Sequence, residues 1–134
     1  MSGPSFSPEG DAVLVEAPPS AALKPDYVLL DDDPLIHLMW QVSSAERGKN
    51  VLFFSNATDF FSILPNLHPE TPVYIDANLG NGVRGEDIIV SVVAQGFSRV
   101  FLATGYSGDT FPSLPQGVVV VGKEPPWEST GFPL

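Results

Sequence analysis

Five short runs of apolar residues constrain this chain more than anything else in it: "YVLL" (27–30), "VLFF" (51–54), "PVYI" (72–75), "VFLA" (100–103) and "VVVV" (118–121). They are continuous, not alternating. Successive side chains of a strand point to opposite faces, so an unbroken apolar run needs cover on both faces, as in a parallel sheet. Helical patterns lie between the runs. In "PLIHLMWQVSSAERG" (34–48), Leu35, Leu38, Met39 and Val42 stand at i, i+3, i+4 and i+7, one face of a helix, with Pro34 in its first turn and Gly48 as its stop. "NATDFFSIL" (56–64) reads as a short helix ending at Pro65. "GEDIIVSVVAQG" (85–96) reads as another, with Glu86 and Asp87 suited to its N-terminal dipole and Gly96 closing it. Strands alternating with helices predict an α/β fold, a doubly wound five-stranded parallel sheet.

The chain has 134 residues, the length of one domain. Residues 1–26 hold Pro4, Pro8, Pro18, Pro19 and Pro25 and read as a linker or N-terminal extension, in which "DAVLVEAP" has the pattern of a short strand. Residues 27–134 form the domain. Sixteen acidic residues against six basic ones give a net charge of −10, which argues against a nucleic-acid surface and favours a site that takes cations. With no cysteine, disulfides and thiolate metal sites are excluded. No apolar run approaches the roughly 20 residues that span a bilayer, and the N-terminus lacks the pattern of a signal peptide. The expectation is a soluble cytoplasmic module without membrane contact.

In an open parallel sheet, ligands bind outside the carboxyl ends of the strands. Strand one ends in Asp31-Asp32-Asp33, strand three in Asp76, strand four in Thr104, and strand five, after Gly122, in Lys123. Acids, a hydroxyl and an ammonium are thus delivered to one rim. Clustered carboxylates repel one another unless a cation neutralises them, and a hard divalent ion with oxygen ligands, Mg²⁺ foremost, suits them. A metal, an ammonium and a hydroxyl around one carboxylate make a trap for a phosphoryl group. Plainer roles stand beside these: Asp33 as a helix N-cap, Thr104 as a turn residue, Lys123 as a solvated lysine, His37 and His68 as structural or surface residues, and Trp40 as core.

From Tyr27 to about Pro126 the chain resembles the receiver domain of two-component response regulators. "VLLDDDP" resembles that family's first strand with its acidic pair, Asp31 and Asp32. "VYIDANLGNGVRG" resembles the phosphoacceptor strand and loop, "VFLATGY" the fourth strand with its hydroxyl, and "VVVVGKEPP" the fifth strand with its lysine. The resemblance implies a flavodoxin-like strand order 2-1-3-4-5. It also implies a Mg²⁺-dependent phosphorelay in which Asp76 takes a phosphoryl group from a phosphohistidine of a histidine kinase or a histidine phosphotransfer protein, then loses it slowly. Asp31, Asp32, Asp76 and the backbone carbonyl of Asn78 would hold the metal. Thr104 and Lys123 would bind the phosphoryl oxygens. The chain would be a single-domain relay protein or the end of a hybrid histidine kinase. Two alternatives remain open: an unphosphorylated interaction module on the same scaffold, and a Mg²⁺-dependent phosphohydrolase.

The sequence departs from that family at several points. Gly80 stands where a proline is usual, Gly85 comes one residue late, and Val120 replaces an aromatic residue. Gly105, Gly108, Pro112, Pro115 and Gly117 leave little room for a fourth helix, and eleven residues after Lys123 leave none for a full fifth. A face of the sheet beside strand one then needs cover. The expectation is that the C-terminal tail supplies it through Trp127 and Phe132, with the "AVLV" segment or a homodimer as alternatives.

Overall fold

The computed structural model describes residues 23–105, 111 and 113–129. The "DAVLVEAP" strand pattern, most of the 1–26 segment, and Phe132 lie outside the described residues. Five parallel strands, β1 (Tyr27–Leu30), β2 (Val51–Phe54), β3 (Val73–Asp76), β4 (Val100–Ala103) and β5 (Val119–Val121), lie in the order β2-β1-β3-β4-β5. This is the flavodoxin-like order 2-1-3-4-5, with the reversal between β1 and β3. Asp76 is the last residue of β3 and pairs in register with Ala103.

The apolar runs are continuous because both faces of the sheet are covered. Val28, Leu30, Val73, Ile75, Val100 and Leu102 face one core. There they meet Phe60 of α2 (Ala57–Ile63) and Ile88, Ile89 and Val92 of α3 (Gly85–Ala94). The intervening Leu29 and Tyr74 face the other core with Trp40 of α1 (Pro34–Arg47) and Trp127 of α4 (Pro126–Ser129). The helix signals act as their chemistry predicts. Asp33 Oδ1 accepts from Leu35 N–H at 2.9 Å as the N-cap of α1, Asn56 caps α2, and Gly48 ends α1 at φ 67.

Two outcomes refine the sequence reading. The Leu35, Leu38, Met39, Val42 stripe is on a helix, as its spacing predicts, but it faces solvent, with Leu35 71% and Leu38 55% exposed. What α1 buries is Trp40, Ser43 and Ser44. One indole fills the space against the sheet, and the small serines let α4 approach. The C-terminal part is reduced, as expected. Among the described residues between Thr104 and Val119 there is no helix, and after Lys123 there is the single turn α4. Trp127 covers the face beside β1, with ring centroids 5.4 Å from Trp40 and 5.2 Å from Tyr27. Its Nε1–H donates to Ser43 Oγ at 2.7 Å, and Ser43 Oγ–H donates in turn to Glu128.

Candidate functional site

The carboxyl ends of β1 and β3 are adjacent, so Asp31 and Asp76 meet across the strand reversal. Asp32 joins them, and one carboxylate oxygen from each of the three lies within 4.8 Å of the others. Asp31 is fully buried, Asp76 nearly so, and Asp32 is exposed. Lys123 reaches in from the end of β5. Its Nζ donates to Asp76 Oδ1 at 2.7 Å and to Asp31 Oδ2 at 3.2 Å.

Backbone and side-chain bonds from elsewhere fix this arrangement. Asp33 N–H donates to Asp31 Oδ1 at 2.9 Å. His37, one turn into α1, donates through Nε2 to the Asp31 backbone carbonyl and packs on Phe53. Trp40 Nε1–H donates to the Lys123 backbone carbonyl at 3.0 Å, which holds the lysine's main chain over the site. Asn78 N–H donates to Asp76 Oδ1 at 3.3 Å. The supporting roles of His37 and Trp40 were not readable from their positions. The available signal was that each stands within two turns of the acidic run, on the helix that run opens.

The loop after Asp76 is built on glycines. Gly80 adopts φ +77, and a Cβ there would meet Asp32 Oδ2 at 3.0 Å. Proline, fixed near φ −65°, cannot take that conformation. Gly85 opens α3 against β3, where a Cβ would lie 2.1 Å from the Asp76 carbonyl oxygen. Gly85 N–H donates to Ala77 O, and Leu79 N–H to Val83 O. Asn78 and Arg84 pair as an antiparallel bridge between these two bonds. That pairing uses the neighbours' backbone groups, so the Asn78 carbonyl accepts no hydrogen bond from a described residue. Thr104 directly follows β4, buried, with its N–H donating to Val121 O at 2.9 Å.

The electrostatics follow from burial. Burial pushes the Asp31 carboxyl above its usual range, and the Asp76 charge adds to this, against the lowering effect of the Asp33 N–H and Lys123. Burial works against the Lys123 ammonium, but the Asp76 hydrogen bond and the Asp31 charge outweigh it and hold the lysine protonated. Like charges about 4 Å apart repel by on the order of 4 kcal/mol at an intermediate dielectric. Three carboxylates against one ammonium leave two negative charges. A divalent cation would complete that balance. The donor set is all oxygen, so Asp31, Asp32 and Asp76 could hold a metal ion. Among the described residues no helix is long and apolar enough to cross a membrane.

Comparison with protein-family models, with curated proteins and with solved structures found no match.

Proposed function

We propose that this domain is a phosphoacceptor, taking a phosphoryl group onto Asp76 in a Mg²⁺-dependent phosphorelay, as its resemblance to response regulator receivers implies. The observation that carries the reading is the pair of bonds from Lys123 Nζ to Asp76 and Asp31 at the carboxyl end of the sheet. A buried carboxylate is held there beside a fixed ammonium and two further acids. Asp76 Oδ1 is engaged by Lys123 and Asn78, whereas Oδ2 accepts no hydrogen bond from a described residue and keeps its lone pairs.

In this reading Asp76 Oδ2 attacks the phosphorus of a phosphohistidine on a histidine kinase or histidine phosphotransfer protein. The new O–P bond makes an acyl phosphate. The N–P bond breaks, and the imidazole leaves with that electron pair. Lys123, already positioned, neutralises charge on the transferred oxygens, and Thr104 at the end of β4 supplies a hydroxyl on the same rim. A Mg²⁺ held by Asp31, Asp32, Asp76 and the Asn78 carbonyl would supply further charge neutralisation. Catalysis is then positioning and electrostatics. A phosphohydrolase would want a second acid two residues after the nucleophile. Asn78 stands there, and its side-chain oxygen is occupied by Gly80 N–H at 3.1 Å.

The test is incubation with acetyl phosphate and Mg²⁺, followed by intact-mass measurement and peptide mapping. Wild type gains one acid-stable, base-labile phosphoryl group on Asp76, and Asp76→Asn gains none. No labelling overturns the reading in favour of an unphosphorylated interaction module, and a phosphoryl group mapped elsewhere overturns the assignment to Asp76.

A further inference from the structure

The chain has only six lysines and arginines. Arg84 is paired with Glu86 and Lys123 with the acid cluster. Of the remaining four, Lys24, Lys49 and Arg99 line one open surface pocket, a cavity of about 360 Å³. It lies at the amino ends of the strands, the opposite pole from Asp76. The fold brings the three together from far apart in the sequence. Asp26 N–H donates to Asn50 O at 2.7 Å, which sets the segment of Lys24 beside that of Lys49. Val73 N–H donates to Arg99 O at 2.9 Å, which adds Arg99 next to the chain before β3. His68 N–H donates to Leu23 O at 2.9 Å.

These three cations have no ion-pair partner among the described residues. All three are exposed to solvent, in a protein whose net charge is −10. Two further donors join them. Thr71 lines the cavity and is 4% exposed. Its hydroxyl makes no hydrogen bond with any described residue and faces a pocket lined by donors. His68 accepts from Glu70 N–H through Nδ1 at 3.2 Å, which puts its ring proton on Nε2 as a donor. Asp26 and Glu70 also line the cavity, and Asp26 Oδ2 is engaged by Asn50 N–H at 2.7 Å. Three positive charges against two negative leave the lining cationic, and its unengaged side-chain groups are mostly donors.

We propose that this cavity is a binding site for a small phosphate-bearing anion, separate from the acidic site. A phosphate group offers several acceptor oxygens and about two negative charges, which matches lysine, arginine, hydroxyl and imidazole N–H donors. The volume is at the lower end of small-molecule sites and leaves room for more than one phosphate group, so an esterified or condensed phosphate fills it better than the bare ion.

The experiment titrates pyrophosphate, and separately inorganic phosphate, into the full chain without Mg²⁺ and follows backbone amide shifts by NMR, with chloride at matched ionic strength as control. Saturable shifts at residues 24, 49, 68, 71 and 99, absent with chloride and tighter for pyrophosphate, are expected. Arg99→Gln and Thr71→Val should each weaken binding about tenfold, with amide spectra elsewhere unchanged. Non-saturating shifts, equal shifts with chloride, shifts centred on residues 76–85, or variants that bind like wild type overturn the proposal. Because the variants lie at the far pole, the labelling of Asp76 is a separate outcome.

Discussion

Lys123 decides the chemistry of the rim, because it is the one cation among the described residues that touches two of its acids. Its place was legible: a lysine just past the fifth strand of a parallel sheet falls on the same rim as the acids ending strands one and three. Which carboxylate oxygens it would engage was not legible, since that depends on the Trp40 bond to its main chain and on the turn that ties Asp31 to Asp33. Tyr74 is a second residue whose environment makes a measurable claim. It stacks on Phe101 at 4.4 Å, and its phenol is pushed up to about 12, chiefly by burial and then by Tyr27, against the opposing pull of Arg99. A folded-state value above the ordinary 10.0 means that the native protein holds the proton more tightly than the unfolded chain does. The stability this contributes is complete below pH 10.0 and is lost as pH rises through about 12. One of the three tyrosines should therefore ionise late when phenolate absorbance is followed against pH, and Tyr74→Phe should remove that late step. Ionisation of all tyrosines together near pH 10 would contradict the packing described.

At the scale of elements, the helices separate what periodicity reveals from what it hides. Spacing located α1, α2 and α3 correctly, because apolar recurrence and caps are local signals. It did not give the side of α1 that faces the sheet: the four-residue apolar stripe is exposed, and Trp40 takes the buried position. A count of apolar positions weighs four aliphatic side chains above one indole, but the indole, flanked by small serines, is what fits between β1, β3 and α4. The one-turn helix α4 was legible as a need, because a sheet face without a full fifth helix requires cover, and Trp127 meets it. Denaturant unfolding should separate these roles. Trp127→Ala should cost about 3–5 kcal/mol, the range for large aromatic truncations, since it empties the space against Trp40 and Tyr27. Leu38→Ser should change stability by about 0.5 kcal/mol or less. Equal costs would mean that the stripe is covered in solution. The Gly85 start of α3 belongs to the same scale: the helix can close on β3 only because a Cβ, which would lie 2.1 Å from the Asp76 carbonyl oxygen, is missing.

As a whole, the molecule is polar along its strands. Acids gather at the carboxyl ends of the sheet, and three of its six cations line one cavity at the amino ends. The first pole was legible because parallel strands carry their ends to one side, and each strand-end residue could be read off in turn. The second was not, because Lys24, Lys49, His68, Thr71 and Arg99 form no motif and meet only through sheet register and the Leu23–Leu67 bridge. The proposed phosphoacceptor chemistry depends most on the acidic pole being a cation site, since three carboxylates and one lysine leave two charges to neutralise. Thermal unfolding with increasing Mg²⁺ measures that directly, because an ion that binds only the native state stabilises it by mass action. Wild type should gain about 2.7 kcal/mol at a hundred times the dissociation constant, and Asp32→Ala should lose most of that gain. A melting temperature of the wild-type protein that does not respond to Mg²⁺ at any concentration would contradict the account.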